Sequence, residues 1–337
     1  MPSIATRTLG RSGLAVAELG FGAAPLGDLY ALLDDVLAIE AVTAAVQAGC
    51  TLIDTSPLYG HGLSEHRVGT ALRRVGRERV VLSSKVGRCL TPARGAWDRE
   101  GYLGGLPFTA TLDYGYDATL RSIEQSLLRL GTDRLDIVLI HDLDRRNLGD
   151  QFDAHVETAV AGAWRALARL REEKVIGAAG IGVNESEICV RFAERCDIDC
   201  VLLAGRYSLL EQGAADAFLP LAEQRGIGVL LGGVFNSGIL ATGAVPGAKY
   251  DYAPASEPLL ARVRAIEAVC ARHGVSLPVA AIHAVRQHPA ISSVVLGAVT
   301  PAEVARNLAS WAATPPADLW AELKHEGLIR PDMKVGG

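Results

Sequence analysis

No C-x-x-C pair occurs in this 337-residue chain. Its six cysteines, Cys50, Cys89, Cys189, Cys196, Cys200 and Cys270, are scattered. Cys196 and Cys200 stand four apart but have no second pair, so the clustered soft ligands that zinc needs are missing and no metal site is expected. Isolated thiols suit a reducing compartment, and a cytoplasmic location is expected. Basic runs are missing too. Arg73-Arg74 and Arg145-Arg146 are isolated pairs, and 33 Lys and Arg against 38 Asp and Glu leave a net charge of −5. Nucleic acid is therefore not an expected partner. No stretch approaches 18 uninterrupted apolar residues, so no membrane span is expected. Met1-Pro2-Ser3-Ile4 leads to Arg7 and Arg11 without an apolar core, so no secretory signal is expected. The string Gly20-Phe21-Gly22-Ala23-Ala24 lacks the G-x-G-x-x-G spacing of an open dinucleotide-binding sheet.

What is present is an alternation. Hydrophobic residues make up 49% and charged residues 21%, a globular balance. Eight short apolar runs read as strands: Leu19–Phe21, Thr51–Asp54, Val80–Lys85, Ile137–His141, Gly177–Val183, Val201–Leu203, Gly228–Leu231 and Ser293–Leu296. Near-continuous apolar strands are buried on both faces, as in parallel sheet. Helix-periodic stretches separate them: Val36–Ala48, a helix capped by Ser64, Asp117–Arg129 with Leu120, Ile123, Leu127 and Leu128 on one face, Val156–Glu173, Glu185–Arg195, Ala214–Gln224, Leu259–Arg272 and Glu303–Trp311. Eight β/α repeats predict an α/β fold, a closed (β/α)8 TIM barrel forming one domain over residues 1–337; an open doubly wound sheet is the alternative. Arg7–Gly20, turning at Gly10-Arg11-Ser12-Gly13, reads as a hairpin plugging the barrel floor. Arg88–Gly115 after the third strand and Asn236–Pro258 after the seventh are too long for ordinary βα loops. They carry Trp97, Tyr102, Phe108, Tyr114, Tyr250 and Tyr252. At the C-terminal face they are either substrate walls or plain rim insertions.

Polar residues gather at three neighbouring strand ends: Asp54-Thr55-Ser56-Pro57-Leu58-Tyr59, Ser83-Ser84-Lys85 and His141-Asp142. A barrel brings these ends together. A phenol, an ammonium, a carboxylate and an imidazole in one patch form a proton-transfer device at a carbonyl or hydroxyl. An ammonium beside a phenol favours the phenolate and lowers its pKa from about 10.

With these residues the chain resembles the aldo-keto reductase superfamily. The carriers are Asp54-Thr-Ser-Pro-Leu-Tyr59-Gly60 followed by Leu63-Ser64-Glu65, then Lys85 and His141, with the hairpin and the eight-strand order. The resemblance implies a nicotinamide-binding barrel. Tyr59 is implied as general acid/base, Lys85 as its pKa modifier, Asp54 as partner of Lys85, and His141 as the orienting group. Gly22 and Asp54 are implied to border the cofactor and Asn184 to hold its carboxamide. Leu231-Gly232-Gly233-Val-Phe235-Asn-Ser237-Gly238-Ile-Leu240 matches the pyrophosphate loop, with Gly232 where a stacking Tyr often stands. Gly297 and Glu303 occupy positions that NADPH-using relatives often fill with Lys and Arg, and Asn307 matches an adenine-contacting position. Glu303 can accept bonds from a ribose hydroxyl, so NAD is expected over NADP. The other reading is a first-turn helix acid, with Arg306 free to reach a phosphate.

Leu9-Gly-Arg-Ser-Gly13, Gly20-Phe-Gly-Ala-Ala-Pro-Leu-Gly27 and Ile140-His141-Asp142 are similar to a subgroup of aldose 1-dehydrogenases, for L-fucose and D-threo-aldoses, and pyridoxal 4-dehydrogenases. The expected reaction is NAD-dependent oxidation of a cyclic hemiacetal to its lactone. Tyr59 and His141 are expected to meet the sugar or pyridoxal, and Trp97 and Phe108 to wall it in. The alternatives are a general NADPH-dependent carbonyl reductase and a non-catalytic binding subunit. A monomer or a homodimer is compatible with the sequence.

Overall fold

The computed structural model describes residues 4–336. Eight parallel strands close into a barrel. They are β1 (Leu19–Gly22), β2 (Leu52–Asp54), β3 (Val81–Val86), β4 (Ile137–His141), β5 (Ala178–Val183), β6 (Cys200–Ala204), β7 (Gly228–Gly232) and β8 (Ile291–Gly297). Consecutive strands pair, and β8 closes on β1 from Val294 opposite Leu19 to Gly297 opposite Gly22. The expected eight runs are the eight barrel strands, so the open-sheet alternative falls. The strands read as continuous apolar runs because both faces are covered.

The core has two shells. Leu52, Ile137, Leu139, Cys200, Leu202, Leu230 and Val295 point inward and cluster with Leu9 and Val16. Their chain neighbours Ile53, Leu82, Val138, Ile140, Val201, Leu203, Val229 and Leu231 point outward onto the helices. Leu9 and Val16 flank a hairpin of Thr6–Thr8 and Ala15–Ala17, which closes the barrel floor as expected. The fit is tight: Gly10 has φ +51°, and a Cβ there would stand 2.3 Å from the Gly228 amide nitrogen. Arg11 N donates to Gly226 O at 2.8 Å.

The helices depart from expectation in instructive ways. Helix Leu63–Val75 is preceded by Gly62 in the left-handed region, and Ser64 does not cap it. The Ser64 hydroxyl instead donates to Ala23 O at 2.7 Å and meets Thr55 Oγ1 at 2.9 Å, which ties the helix to the barrel rim. On helix Tyr116–Leu130, Leu128 is 83% exposed and Leu130 is buried in its place. Leu130 stands seven residues from the buried Ile123, two full turns on. The expected Val156–Glu173 helix begins at Phe152 and is interrupted by a π-turn at Val160–Trp164. There the Ala163 amide donates to Tyr114 O at 2.8 Å, outside the helix, and Gly162 lets that backbone approach. Ala214–Gln224 divides into a 3-10 turn at Gly213–Ala215 and a helix at Phe218–Arg225. Besides the four-residue helices Arg145–Leu148 and Ile239–Thr242, two longer helices were not foreseen, Leu277–Val285 and Ala317–His325. The first is buried almost all round, so it shows no polar face to betray a period.

The two long segments lie at the C-terminal mouth. Arg88–Pro92 pairs antiparallel with Phe108–Leu112. After β7 come a short helix, Ile239–Thr242, and a two-residue pairing of Lys249–Tyr250 with Ala253–Pro254. The six cysteines are free and buried. Among the described residues no single helix is long and apolar enough to cross a membrane.

Candidate active site

Strands β2, β3 and β4 deliver their polar ends to one point. Ser83 and Lys85 occupy alternate positions on β3 and so face the same side, the barrel interior. Lys85 is 2% exposed. Its Nζ donates to Asp54 Oδ2 at 2.6 Å and to Thr55 O at 2.8 Å. The other Asp54 oxygen accepts from Ser83 Oγ at 2.8 Å. Gly182 on β5 packs against this lysine, and a Cβ there would stand in ordinary contact with Lys85 Cε at 3.4 Å. Tyr59, in the turn after β2, lies over the ammonium, with Nζ 4.8 Å from the ring centroid. The His141 ring meets Tyr59 edge-on, centroids 5.7 Å apart. The four expected catalytic residues are thus brought together.

The expected depression of the phenol is not seen. Burial first, and the Asp54 charge next, push Tyr59 well above its ordinary value. Burial disfavours the charged phenolate, and the nearby Asp54 carboxylate adds to this by repelling a second negative charge. Tyr59 is a proton donor in this state. His141 moves the other way. Burial, then the charges of Lys85 and Arg88, hold its pKa well below the ordinary imidazole value, so it is neutral at pH 7.

Ser56, which sequence reasoning passed over, meets one nitrogen of that neutral ring. Ser56 Oγ accepts from the Leu58 amide at 3.2 Å and lies 3.2 Å from His141 Nδ1. Asp142 Oδ1, 3.4 Å from Nε2, favours the ring proton on that nitrogen. The serine hydroxyl then donates to Nδ1. His141 therefore presents an N–H donor. Ser56 belongs to no helix or strand, and its only sequence mark is its place in the turn between Asp54 and Tyr59.

Two adjoining cavities open at the mouth, of about 570 Å³ and about 400 Å³, and Tyr59 borders both. The larger is lined by Gly22, Asp54, Gly232, Gly233, Phe235, Ser237, Gly297 and Glu303, eight of the expected cofactor positions. Its walls are cut back to backbone: a Cβ on Gly22 would stand 3.1 Å from Val295 Cγ1, and one on Gly297 3.1 Å from Pro25 Cγ. Between Gly233 and Gly238 the chain turns through left-handed conformations at Gly233, Asn236, Ser237 and Gly238. Asn236 braces this turn, donating to Gly205 O and accepting from Ser208 Oγ. The amides of Val234, Phe235 and Ser237 donate to no other group among the described residues. Such free amides make an anion cradle. This lining fits a dinucleotide, whose pyrophosphate the amides of Val234, Phe235 and Ser237 could hold.

Two expected cofactor residues stand elsewhere. Leu240 is wholly buried behind the loop, because its side chain faces the helices. Asn307 does not border the cleft; its Nδ2 donates to Gly297 O at 3.1 Å and ties the helix Pro301–Ala312 to β8. Glu303 does border it, but its carboxylate also accepts from the Val299 amide at 2.8 Å while its own amide donates to Thr300 Oγ1. That is a helix-capping arrangement at the cleft edge. Arg306 stands 3.5 Å from the second Glu303 oxygen.

The smaller cavity is bordered by Tyr59, His141, Asn184, Lys85, Asp142, Glu100, Tyr102 and Arg146, with Tyr30 and Tyr252. Asn184 is held by Asp144, to which its amide nitrogens donate. Trp97 and Phe108 do not border this cavity. The antiparallel pairing carries them off the mouth: Phe108 pairs opposite Pro92 at its outer end, and Trp97 lies beyond it beside Arg99. The return of that segment lays Tyr102 over the opening instead.

Residues 18–325 match the family model described as Aldo/keto reductase family. The chain is 39% identical over 335 residues to a pyridoxal 4-dehydrogenase from Microbacterium luteolum, covering 96% of this chain and 97% of that one. It is 37% identical over 329 residues to a D-threo-aldose 1-dehydrogenase from a Pseudomonas species, covering 94% and 96%. In fold it resembles the holo form of an aldo-keto reductase from Bacillus halodurans, with a TM-score of 0.74, 24% identity and 97% of each chain covered.

Proposed function

The chain belongs to the aldo/keto reductase family and is an oxidoreductase, and we propose that it oxidises a cyclic aldose at C1 to the lactone with NAD as acceptor. The observation that supports the reading is the polar wall of the smaller cavity, which His141, Asp142, Asn184 and Arg146 line together with Tyr59. A ring bearing hydroxyls on most carbons finds several polar partners there. The whole chain acts as one barrel domain in this reading, in the cytoplasm, where its free thiols are stable.

The residues divide the work as follows. His141 Nε2–H donates to the substrate oxygen and fixes its position. Tyr59 takes the hydroxyl proton from that oxygen as the C1–H bond breaks and the carbonyl forms. Lys85 and Asp54 hold the phenol's surroundings rigid and dry. When bound, a nicotinamide group would supply the hydride acceptor. Tyr59 acts as base once its buried phenol has given up its proton. Glu303 at the cleft edge leaves a ribose hydroxyl an acceptor and meets a 2′-phosphate with like charge, which supports NAD.

A second reading rests on a different observation. Tyr30, Tyr102 and Tyr252 also border the cavity, and a flat pyridine ring suits such faces. Pyridoxal as its hemiacetal would undergo the same chemistry. Absorbance at 340 nm with NAD and a panel of L-fucose, D-arabinose, L-galactose, L-xylose and pyridoxal decides between them. NADH formation with the sugars is expected. A strong preference for pyridoxal moves the enzyme to the second reading, and NADPH consumption on simple aldehydes with silence across the panel overturns both.

A further inference from the structure

Successive residues of a strand point to opposite sides, yet His141 and Asp142 both border the smaller cavity. The cause is local. Asp142 has φ +53°, in the left-handed region, while its amide still donates to Gly182 O at 2.9 Å. The strand end therefore stays in the sheet while the chain twists, and the second side chain swings round to join the first. A left-handed conformation is unfavourable for a residue with a Cβ and is kept where the surroundings impose it.

The carboxylate so delivered is 7% exposed and half satisfied. Asp142 Oδ2 accepts from Arg88 Nη1 at 2.9 Å. Arg88 is itself enclosed, with Glu100 3.5 Å away on its other side. Asp142 Oδ1 accepts no hydrogen bond among the described residues and lies 3.4 Å from His141 Nε2, the atom that grips the reacting oxygen. An open carboxylate oxygen in an enclosed cavity takes a donor, and a hydroxyl is the donor that a neutral substrate offers.

We propose that Asp142 Oδ1 accepts the hydroxyl on the carbon next to the reacting one, making the enzyme selective for substrates with two hydroxyls on adjacent carbons, as at C1 and C2 of an aldose. The proposal rests on the aldose reading and deepens it. Neighbouring acceptor and donor, Oδ1 and Nε2, match two oxygens on adjacent carbons: one oxygen receives the Nε2 proton, and the other gives its own to Oδ1. Arg88 is the positioning residue, since it fixes the carboxylate through the other oxygen and does not border the cavity. A substrate without the second hydroxyl leaves a buried carboxylate oxygen unpaired, and a site built for a hydroxyl rejects such an analogue strongly.

The test is steady-state oxidation of L-fucose and 2-deoxy-L-fucose with NAD, with calorimetric binding of each sugar in parallel. The wild-type enzyme should favour L-fucose by about 100-fold in kcat/KM. Asp142→Ala should bring the two sugars to within a few-fold of each other, by losing L-fucose rather than gaining the analogue. Asp142→Asn keeps an acceptor of nearly the same shape and should fall between. If Asp142 only anchors Arg88, the variants lower both sugars alike and the ratio stays at the wild-type value. Equal oxidation of the two sugars by the wild-type enzyme overturns the assignment without any variant having to fold. Failure of the enzyme on every aldose overturns the aldose reading itself, and this proposal with it.

Discussion

Asp54→Ala breaks the Lys85–Asp54 pair from one side, and the consequence can be worked from the geometry. The two side chains are 1% and 5% exposed and 2.6 Å apart. Without the carboxylate, the ammonium keeps one acceptor, Thr55 O, and the face of Tyr59. Ser83 Oγ loses its acceptor as well. Removing one partner of a buried pair costs about 3–5 kcal/mol, because the other charge stays behind without compensation. At an unfolding entropy of roughly 2.1 cal/mol/K per residue, the chain's 337 residues give roughly 0.7 kcal/mol/K. The variant should therefore melt about 4–7 °C lower than wild type, read by scanning calorimetry or circular dichroism. Asp54→Ala with Lys85→Met removes both charges and should recover part of the loss, since a buried pair replaced by apolar groups is often near neutral. A single variant melting within about 1 °C of wild type would refute the argument. So would a double variant that melts below the single one.

Further outcomes follow from other parts of the molecule. Oxidation by the wild-type enzyme should speed up as pH rises from neutral into the alkaline range, because a phenol held above its ordinary pKa becomes a base only as it loses its proton. Tyr59→Phe should remove this limb and lower turnover about 10²–10⁴-fold while NAD still quenches tryptophan fluorescence; near-normal turnover would refute the role. Ser56→Ala frees the His141 ring to place its proton on Nδ1, and the lost bond, worth about 1 kcal/mol, should cut kcat/KM roughly five-fold with no change in melting beyond a few degrees. Glu303→Arg should move the NAD/NADP preference toward NADP, and an unmoved ratio would show that the cleft edge does not read the 2′ position. Gly180→Ala would place a Cβ 1.7 Å from Cys200 O across the β5–β6 pairing, so little folded protein should accumulate in expression tests.

The barrel was legible because strands covered on both faces must be apolar throughout. That demand writes eight runs into the chain and leaves their order unambiguous. The polar group at the mouth was legible for a related reason. Asp54, Lys85 and His141 interrupt or end apolar runs where a plain barrel would place aliphatic side chains. Helix detail was less legible. Leu277–Val285 hides its period because it is buried on nearly every side, and the π-turn at Val160–Trp164 coincides with a bond that Tyr114 O receives from the Ala163 amide.

Trp97 and Phe108 show the limit for the substrate wall. Aromatic content marked Arg88–Gly115 as a mouth segment, but strand pairing decided that Tyr102 faces the cavity and Phe108 does not. Leu240 and Asn307 show it for the cofactor cleft: both stand on the right elements, and side-chain direction takes them off its surface.

By itself the sequence determined the repeat, the floor hairpin and the identities of the four polar residues at the mouth, because each of these is a local pattern along the chain. The tertiary structure alone decided the protonation state and direction of those residues. The Tyr59 phenol is raised because it is buried beside the Asp54 carboxylate, His141 keeps its proton on Nε2 because Asp142 faces that nitrogen while Ser56 meets Nδ1, and Asp142 enters the cavity because one backbone angle departs from the strand. Each depends on distances between segments far apart in the chain, and no spacing along the sequence encodes a distance.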